Sequence, residues 1–304
     1  MRRALTLVLA IALGVALVPG MASARIPDEE VYLSLGTSLA AGSQADAAGD
    51  TTFSSPESYT DQLYVRAKGR IAAKLSHVKL GCPGETTDTF VGGTNISGDP
   101  SACAGLYETG SQLGDALAAL EAGNVVLVTI DLGANDIIQA QVACQGDPTC
   151  IGAALGQIAA KVAGIVATMR GSGYAGPIVG MNYYNPQVAA AIGYFPGQPG
   201  QLPPDLGLAV LTDVLAQAFN GALENAYETA GADVVDVHAA FNASDFGDDK
   251  PHNGIPDNVD VVCALSYMCP DDPEVEANIH LNKHGYRVVA MVFFAHVKSL
   301  ELAG

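Results

Sequence analysis

Short apolar runs alternate along the chain with longer segments of helical spacing. The apolar runs predict strands at residues 31–35, 77–80, 124–130, 177–181 and 233–237, and the helical spacing predicts helices at 56–75, 113–120, 151–169, 205–230 and 283–303. The run at 124–130 is β-branched and apolar on both faces, which is typical of the buried middle strand of a parallel sheet.

Strands that alternate with helices indicate βαβ units and therefore a parallel sheet covered on both faces. The predicted fold is a three-layer α/β/α sandwich with a mostly parallel, about five-stranded central sheet. No internal repeat or long linker divides the chain, so residues 25–304 are predicted to form one domain. Ligands of such sheets bind beyond the carboxyl ends of the strands, so the loops after Leu35, Leu80, Ile130 and Val237 are expected to line one crevice.

The N-terminal segment has the three-part layout of a secretory signal peptide. Arg2 and Arg3 precede an apolar stretch at 4–18, and small residues at 22–24 follow, which predicts cleavage after residue 24 and a secreted protein. A membrane anchor is the alternative, but the apolar stretch is shorter than the roughly 20 residues that a span needs, and Pro19-Gly20 interrupts it. No later segment is expected to span a bilayer.

Charge and cysteine content limit the partners and the compartment. The 304 residues carry a formal net charge of −18, which argues against nucleic acid and anionic membranes as partners. Six cysteines in an exported chain without a Cys-x-x-Cys pair favour three disulfides over a metal cluster. Their spacing favours the local pairs Cys82–Cys103, Cys144–Cys150 and Cys263–Cys269.

Two segments that follow predicted strands carry candidate functional residues. Ser38 follows the first strand in Gly-Thr-Ser-Leu, where a serine commonly caps a helix, and the Gly-x-Ser-x-Gly elbow is absent. Gly84 lies after the second strand in a Pro-Gly pair, where it either exposes its backbone N–H to a ligand or simply makes a turn.

Two further segments supply a donor and a base. Asn135 follows the strongest strand and can present its side-chain amide to the crevice, although asparagine also favours turns. His280 lies where the last helix is predicted to open, and it is a candidate general base. His284 is four residues further on, as in a helical zinc pair, but no third ligand is evident, so neither a metal nor another cofactor is expected.

In this order the four segments resemble those of the SGNH, or GDSL-type, hydrolase superfamily, over about residues 31–290. The chain is most similar to secreted bacterial members with three loop disulfides. The resemblance implies a flavodoxin-like SGNH hydrolase fold and ester hydrolysis through an acyl-enzyme, with Ser38 as nucleophile and His280 as base. It also implies an oxyanion hole made of the Ser38 and Gly84 backbone N–H groups and the Asn135 side chain.

The chain departs from the family pattern at two positions. Thr37 replaces an aspartate in the first segment, which predicts altered hydrogen bonding in that loop. Ala277 replaces the aspartate that normally orients the histidine. Three substitutes remain open: a backbone carbonyl near Ala277 or Asn278, the carboxylate of Glu276 or Glu274, and Asp271, Asp272 or a more distant carboxylate.

The substrate and two irregular segments are left with alternatives. The acidic residues 245–260 suggest either a Ca²⁺ site or a solvated loop, and a solvated loop is favoured. Residues 185–204, with Tyr194 and Phe195, form either a wall or lid of the site or a surface loop.

The predicted function is that of a monomeric esterase or lipase acting on a small-molecule or lipid ester. Acetylated carbohydrates and thioesters are alternative substrates. A secreted binding module that has lost activity is the competing class, and the alanine at position 277 is its only support.

Overall fold

The computed structural model describes residues 29–93, 103, 106–192, 206–248, 253–272 and 274–300. The predicted signal peptide and the residues Tyr194 and Phe195 lie outside them. The strands are β1 (Glu30–Gly36), β2 (Leu75–Lys79), β3 (Val125–Asp131), β4 (Ile178–Met181), β5 (Asp233–Val235), β6 (Ser266–Tyr267) and β7 (Asn278–Leu281). The helices are α1 (Ser38–Ala41), α2 (Tyr59–Ala67), α3 (Thr87–Gly92), α4 (Gln112–Glu121), α5 (Ala134–Cys144), α6 (Pro148–Gly171), α7 (Gln187–Ile192), α8 (Leu206–Thr229), α9 (Val237–Ala240), α10 (Asp257–Leu265) and α11 (Lys283–Ser299).

Five strands form a parallel sheet in the order β2-β1-β3-β4-β5. The helices α4, α6 and α8 pack on one another, as do α2 and α11, and right-handed crossovers between parallel strands place these two sets on opposite faces of the sheet. The predicted three-layer α/β fold with a five-stranded parallel sheet is confirmed. Strand β3 lies at the centre, and its last five residues are buried, as its apolar pattern indicated.

Local sequence signals explain where the long helix α6 begins and which face it buries. Asp147 caps it by accepting a hydrogen bond from the Thr149 N–H at 2.8 Å, and Pro148 occupies the first turn, where no backbone donor is needed. Its buried residues recur at helical spacing and pack into the core below the sheet.

The structure differs from the sequence prediction in the acidic segment and near His280. The acidic residues 245–260 are predicted to be irregular, but α10 begins within them, and its first turn holds Asp257 and Asp260, a favourable place for negative charge. His280 does not open the last helix; it lies in β7, which pairs antiparallel with β6. The first long helix is shorter than predicted and ends at Ala67, just before Gly69, which has a positive φ of 74°.

Two helices are more apolar than the sequence prediction allowed. By length and composition alone, Pro148–Gly171 and Leu206–Thr229 could cross a membrane, with mean hydropathies of 1.7 and 1.4. Each also packs a buried stripe into the core of the α/β fold, and core helices of soluble proteins pass the same test.

Three disulfides join the cysteines as predicted: Cys82–Cys103, Cys144–Cys150 and Cys263–Cys269. The first closes the longest loop, with a sequence separation of 21, whereas the other two have separations of 6. A disulfide restricts the unfolded chain more strongly when it closes a longer loop.

Removing the bridges singly is therefore expected to give unequal losses. Replacing Cys82 and Cys103 by serine should lower the free energy of unfolding by about 3 kcal/mol, and replacing Cys144 and Cys150 by about 2 kcal/mol. Chemical denaturation of the two double variants measures both losses. A loss for Cys144–Cys150 as large as that for Cys82–Cys103 would contradict the prediction.

Candidate active site

Ser38 lies in a sharp turn between β1 and α1. Gly36 has a φ of 128°, and a Cβ there would lie 2.3 Å from the Asp131 carbonyl oxygen, so only glycine fits. Thr37, not Ser38, is the helix N-cap, and its Oγ1 accepts a hydrogen bond from the Leu39 N–H at 3.4 Å. Ser38 is the first residue of α1, where a backbone N–H has no partner within the helix.

A buried carboxyl group from the neighbouring strand holds this turn. Oδ1 of Asp131, at the end of β3, accepts hydrogen bonds from the Thr37 N–H at 2.7 Å and the Thr37 hydroxyl at 2.6 Å. Burial raises the pKa of Asp131 to about 7, while its contacts with Thr37 and the Tyr59 hydroxyl oppose that rise. Thr37, the residue at which altered hydrogen bonding is predicted, is thus bonded to the carboxyl group at the end of β3.

The loop that contains Gly84 packs closely against the Ser38 turn. A Cβ on Gly81 would lie 2.6 Å from the Ala40 Cβ, and the Cys82 N–H donates to the Gly36 carbonyl at 3.0 Å. Gly84 itself has a φ of 78°, a conformation that strongly favours glycine. This part of the chain is therefore held against the start of α1.

A polar network behind the loop connects it to the Ser38 turn. The Gln112 side chain bonds both the N–H and the carbonyl of Gly36, at 2.5 and 3.0 Å, and it also donates to the Glu85 carboxyl at 3.0 Å. The Tyr107 hydroxyl donates to the same carboxyl at 2.8 Å. Burial raises the pKa of Glu85, and these hydrogen bonds oppose the rise. The network fixes the positions of two loops relative to each other.

Asn135 lies in the first turn of α5, directly after β3. Its Nδ2 donates one hydrogen bond to the Glu85 carbonyl at 2.8 Å, which leaves its second N–H for another acceptor. The backbone N–H groups of Ser38 and Gly84 have no acceptor among the described residues. The three donors of the predicted oxyanion hole thus come from three segments of the chain that are hydrogen-bonded to one another.

His280 takes its orientation from the side chain of Asn278. Its Nδ1 lies 2.7 Å from Asn278 Oδ1. Asn278 Nδ2 donates to the Gly49 carbonyl at 3.1 Å and to Thr51 Oγ1 at 2.9 Å. A carbonyl can only accept, so the amide nitrogen faces Gly49 and the oxygen faces the histidine. His280 therefore carries its proton on Nδ1 and keeps Nε2 free as an acceptor.

The other groups considered as partners of His280 do not contact it. Among the described residues, Glu274, Glu276, Asp271 and Asp272 are exposed and have no recorded hydrogen bond or ion pair with the imidazole. Ala277 is also exposed, and the acceptor is the Asn278 side chain rather than a backbone carbonyl.

Burial lowers the pKa of His280 to about 4, so the imidazole is neutral at neutral pH. The adjacent backbone is fixed by the Tyr184 hydroxyl, which donates to the Ile279 carbonyl. The imidazole of His280 is therefore neutral and fixed in position, and its Nε2 can accept a hydrogen bond.

Ser38, Asn135 and His280 line one cavity of about 170 Å³, whose remaining wall is mostly apolar. Its lining also includes Ala134, Ile137, Ile138, Gln141, Ile151, Leu155, Tyr183, Tyr184, Thr212, Leu215, Ala216 and Phe219. Gly84 is not part of the lining. No direct hydrogen bond joins Ser38 to His280 in the described structure, and a candidate base commonly reaches its partner only when substrate binds.

A second serine–histidine pair shows why geometry alone is not sufficient. Ser34 Oγ lies 2.8 Å from His77 Nε2, and His77 Nδ1 lies 3.6 Å from Asp61, which resembles a catalytic triad. Ser34 is completely buried within β1, so a substrate has no access to it. The Ser38 cavity is the candidate site because its groups face open space.

The structure does not group the candidate metal ligands. His280 lies in β7 and His284 in the first turn of α11, so they do not share a helical face. Within the described residues, no three His, Cys, Asp or Glu side chains are arranged to hold a metal ion. In the acidic segment, Asp248 accepts the Asn253 and Gly254 N–H groups; residues 249–252 lie outside the description, and the solvated loop stays a prediction.

Comparison with known proteins places the chain in a family. The profile of the GDSL-like Lipase/Acylhydrolase family matches residues 34–288, so the chain belongs to that family, and the resemblance found in the sequence is confirmed. The family's members act on acyl esters. No curated protein sequence matches the chain.

Solved structures share the fold at low sequence identity. The extracellular lipase of Streptomyces rimosus aligns at a TM-score of 0.53 with 15% identity, over 89% of this chain and 99% of that one. LAE5, an alpha/beta hydrolase enzyme from the metagenome of Lake Arreo in Spain, aligns at 0.50 with 16% identity, over 88% and 94%.

Sequence reasoning missed two residues that position the site. Asp131 read as part of a turn segment, and its contact with Thr37 became visible only through the pairing of β1 with β3. Asn278 was considered only for its backbone, although an amide two residues before the histidine carries an oxygen that can reach Nδ1.

The contact between Thr37 and Asp131 predicts a charge-dependent double-variant result. Thr37→Asp places two carboxyl groups together in a buried site. At pH 8, both the equilibrium constant for folding and kcat/KM for ester hydrolysis should therefore fall by at least about tenfold. Thr37→Asn is the uncharged control and should lose less. Combining Thr37→Asp with Asp131→Thr should recover much of the loss, as thermal unfolding and kcat/KM will show. Equal losses for the Asp and Asn variants would refute the charge argument.

Proposed function

We propose that the protein is a secreted serine ester hydrolase with Ser38 as nucleophile and His280 as general base. The observation that carries the proposal is that Ser38, Asn135 and His280 line one mostly apolar cavity, with the Nε2 of His280 unprotonated. Membership of the acylhydrolase family supports the reaction class. The three disulfides and the predicted signal peptide support secretion.

The proposed reaction has two halves. In the first, Ser38 Oγ attacks the ester carbonyl carbon and passes its proton to His280 Nε2, and the resulting imidazolium gives that proton to the departing alkoxide. In the second, His280 takes a proton from water, hydroxide attacks the acyl-enzyme, and the proton returns to Ser38 as the carboxylic acid leaves. No cofactor enters either half.

The tetrahedral intermediates place a negative charge on the former carbonyl oxygen. The Ser38 N–H, the Gly84 N–H and the second N–H of Asn135 are the proposed donors to that oxygen. Their loops are connected through Glu85 and Gln112, so the donors are held before substrate arrives. Little reorganisation is then needed as the charge develops.

Asn278 replaces the usual acid by a neutral acceptor. Its amide oxygen selects the tautomer and orientation of His280, as a triad carboxylate does. It carries no charge, so it stabilises the imidazolium less than a carboxylate would. The low pKa of His280 agrees with this arrangement, because burial lowers it and no carboxylate opposes the shift.

The apolar wall of the cavity favours an acyl chain as the group bound beside Ser38. Ile137, Leu155 and Phe219 offer no hydrogen bonds to a sugar. A carbohydrate acetylesterase remains the alternative, in which the cavity would hold only the acetyl methyl group. A binding module without activity is the other class, and activity assays separate it from both.

Ester hydrolysis by the purified protein is the primary test. Chromogenic esters of increasing acyl length should be hydrolysed, and Ser38→Ala should reduce kcat by about 10⁴-fold or more. Activity that rises with acyl length supports the lipid reading, whereas activity confined to acetyl esters supports the carbohydrate reading. If the wild type and Ser38→Ala hydrolyse every ester equally, the protein is not a serine hydrolase.

The pH profile tests the base and its positioning residue. The base acts when unprotonated, and burial lowers its pKa, so kcat/KM should fall only as pH drops towards about 4 rather than near 6.5. Asn278→Asp adds a negative charge beside the imidazole, raises its pKa and should move this fall to higher pH. Asn278→Ala should lower kcat by about 10²-fold to 10⁴-fold through loss of orientation.

The two Asn278 variants control for each other. The aspartate variant keeps an acceptor for Nδ1, so a merely structural role for residue 278 would leave its pH profile where the wild type has it. Such an unmoved profile would contradict the positioning role of Asn278.

A further inference from the structure

Exposed apolar side chains in the described part of the chain concentrate on two helices. Seven of the twelve large ones lie on α5 and α8, and the others are scattered. Single exposed apolar residues are ordinary on soluble proteins, but clusters mark interaction surfaces. The seven are Ile138, Val142, Leu206, Leu208, Val210, Leu211 and Val214.

These residues continue the cavity-lining faces of two helices away from the cavity. On α5, Ile138 lines the cavity, and Val142, one helical turn further, is 76% exposed. On α8, Leu215 lines the cavity, and Leu211, one turn earlier, is 52% exposed, with Val214 beside it. An apolar surface thus runs from inside the cavity onto the outside of both helices.

The described residues of these helices place no exposed charge on this surface, although the protein as a whole is strongly acidic. The only charged residue of α5 is Asp136, which accepts hydrogen bonds from Thr87. The first eighteen residues of α8 hold one, Asp213, which is buried and lies 2.9 Å from His238 Nε2. Residues 148–160 of α6 hold none. With a net charge of −18 overall, this face differs from the rest of the molecule.

We propose that the α5–α8 face, defined as Val142, Leu206, Val210, Leu211 and Val214, docks on the surface of an uncharged lipid aggregate with the cavity mouth towards the lipid. Apolar side chains without neighbouring charge can enter the boundary between headgroups and acyl chains. An anionic bilayer repels a protein of this charge, so zwitterionic or neutral lipid is the occupant that fits.

The docking itself goes beyond the proposed function, because it does not require Ser38. Its benefit for catalysis rests on that function: an acyl chain could pass from the aggregate into the cavity without crossing water. Exposing an acyl chain to water costs free energy for each methylene group, so such a path favours lipid esters over soluble ones.

The experiment measures binding to vesicles in the Ser38→Ala background, where lipid is not consumed. The parent should sediment with phosphatidylcholine vesicles and bind phosphatidylglycerol vesicles more weakly. The variant Val142→Gln/Leu211→Gln/Val214→Gln should bind phosphatidylcholine at least about tenfold more weakly. None of these three residues lines the cavity, so with Ser38 restored the variant should hydrolyse a short soluble ester as the wild type does.

A matched control removes exposed apolar side chains elsewhere. Val65 on α2 and Met291 on α11 are 72% and 53% exposed, and Val65→Gln/Met291→Gln should bind vesicles as the parent does. Parent and triple variant binding phosphatidylcholine equally, or the parent not binding it, would overturn the proposal. So would sedimentation showing a dimer that the triple variant abolishes, because the face would then join two copies. The proposed function is tested separately: if the wild type and Ser38→Ala hydrolyse a soluble ester equally, the serine hydrolase proposal is wrong, whatever the vesicle result.

Discussion

The contact between Asp131 and Thr37 connects the centre of the sheet to the proposed nucleophile. In the parallel register of β1 and β3, Gly36 lies opposite Asp131, so the buried carboxyl reaches the turn directly. Burying this group is costly, and its hydrogen bonds to the Thr37 backbone and hydroxyl offset the cost. Gln112 holds the other side of the same turn and, through Glu85, the loop that Asn135 contacts. A disturbance at Asp131 is therefore expected to affect Ser38 and the proposed oxyanion donors together.

The site keeps its carboxyl groups bonded to backbone and hydroxyl donors rather than to the histidine. Asp131 and Glu85 are buried and Asp136 is half-buried, and burial raises the pKa of each. Among the described residues, the ring of His280 is hydrogen-bonded to the amide of Asn278 and to no carboxyl group. No carboxylate therefore offsets the lowering of its pKa by burial. The consequence is a base that stays unprotonated in mildly acidic medium but gains less stabilisation when it becomes charged. A carboxylate partner would reverse both properties.

Much of this arrangement could be predicted from the sequence, because buried strands and helices produce regular patterns of apolar residues, and the ends of those patterns locate the ends of the strands. The apolar run of β3 indicated the central strand, and the common edge of a parallel sheet predicted that Ser38 and Asn135 would share a crevice. The partner of His280 could not be predicted in the same way. It depends on the orientation of the Asn278 amide, which is set by Gly49 and Thr51, more than 220 residues earlier in the chain.

The polar and apolar parts of the cavity come from different kinds of sequence. The groups proposed for the chemistry lie in the first turns of α1 and α5, in β7 and in the loop that contains Gly84, where single residues are fixed by turns and hydrogen bonds. The wall comes from one face of α5, α6 and α8, where only apolar spacing is required. Residues such as Ile138 or Leu155 can therefore change in size without moving Ser38 or Asn135. The preferred acyl group can therefore vary independently of the reaction. For this reason the segments that carry the proposed catalytic groups indicate the reaction class, whereas the substrate depends on the residues of the helices.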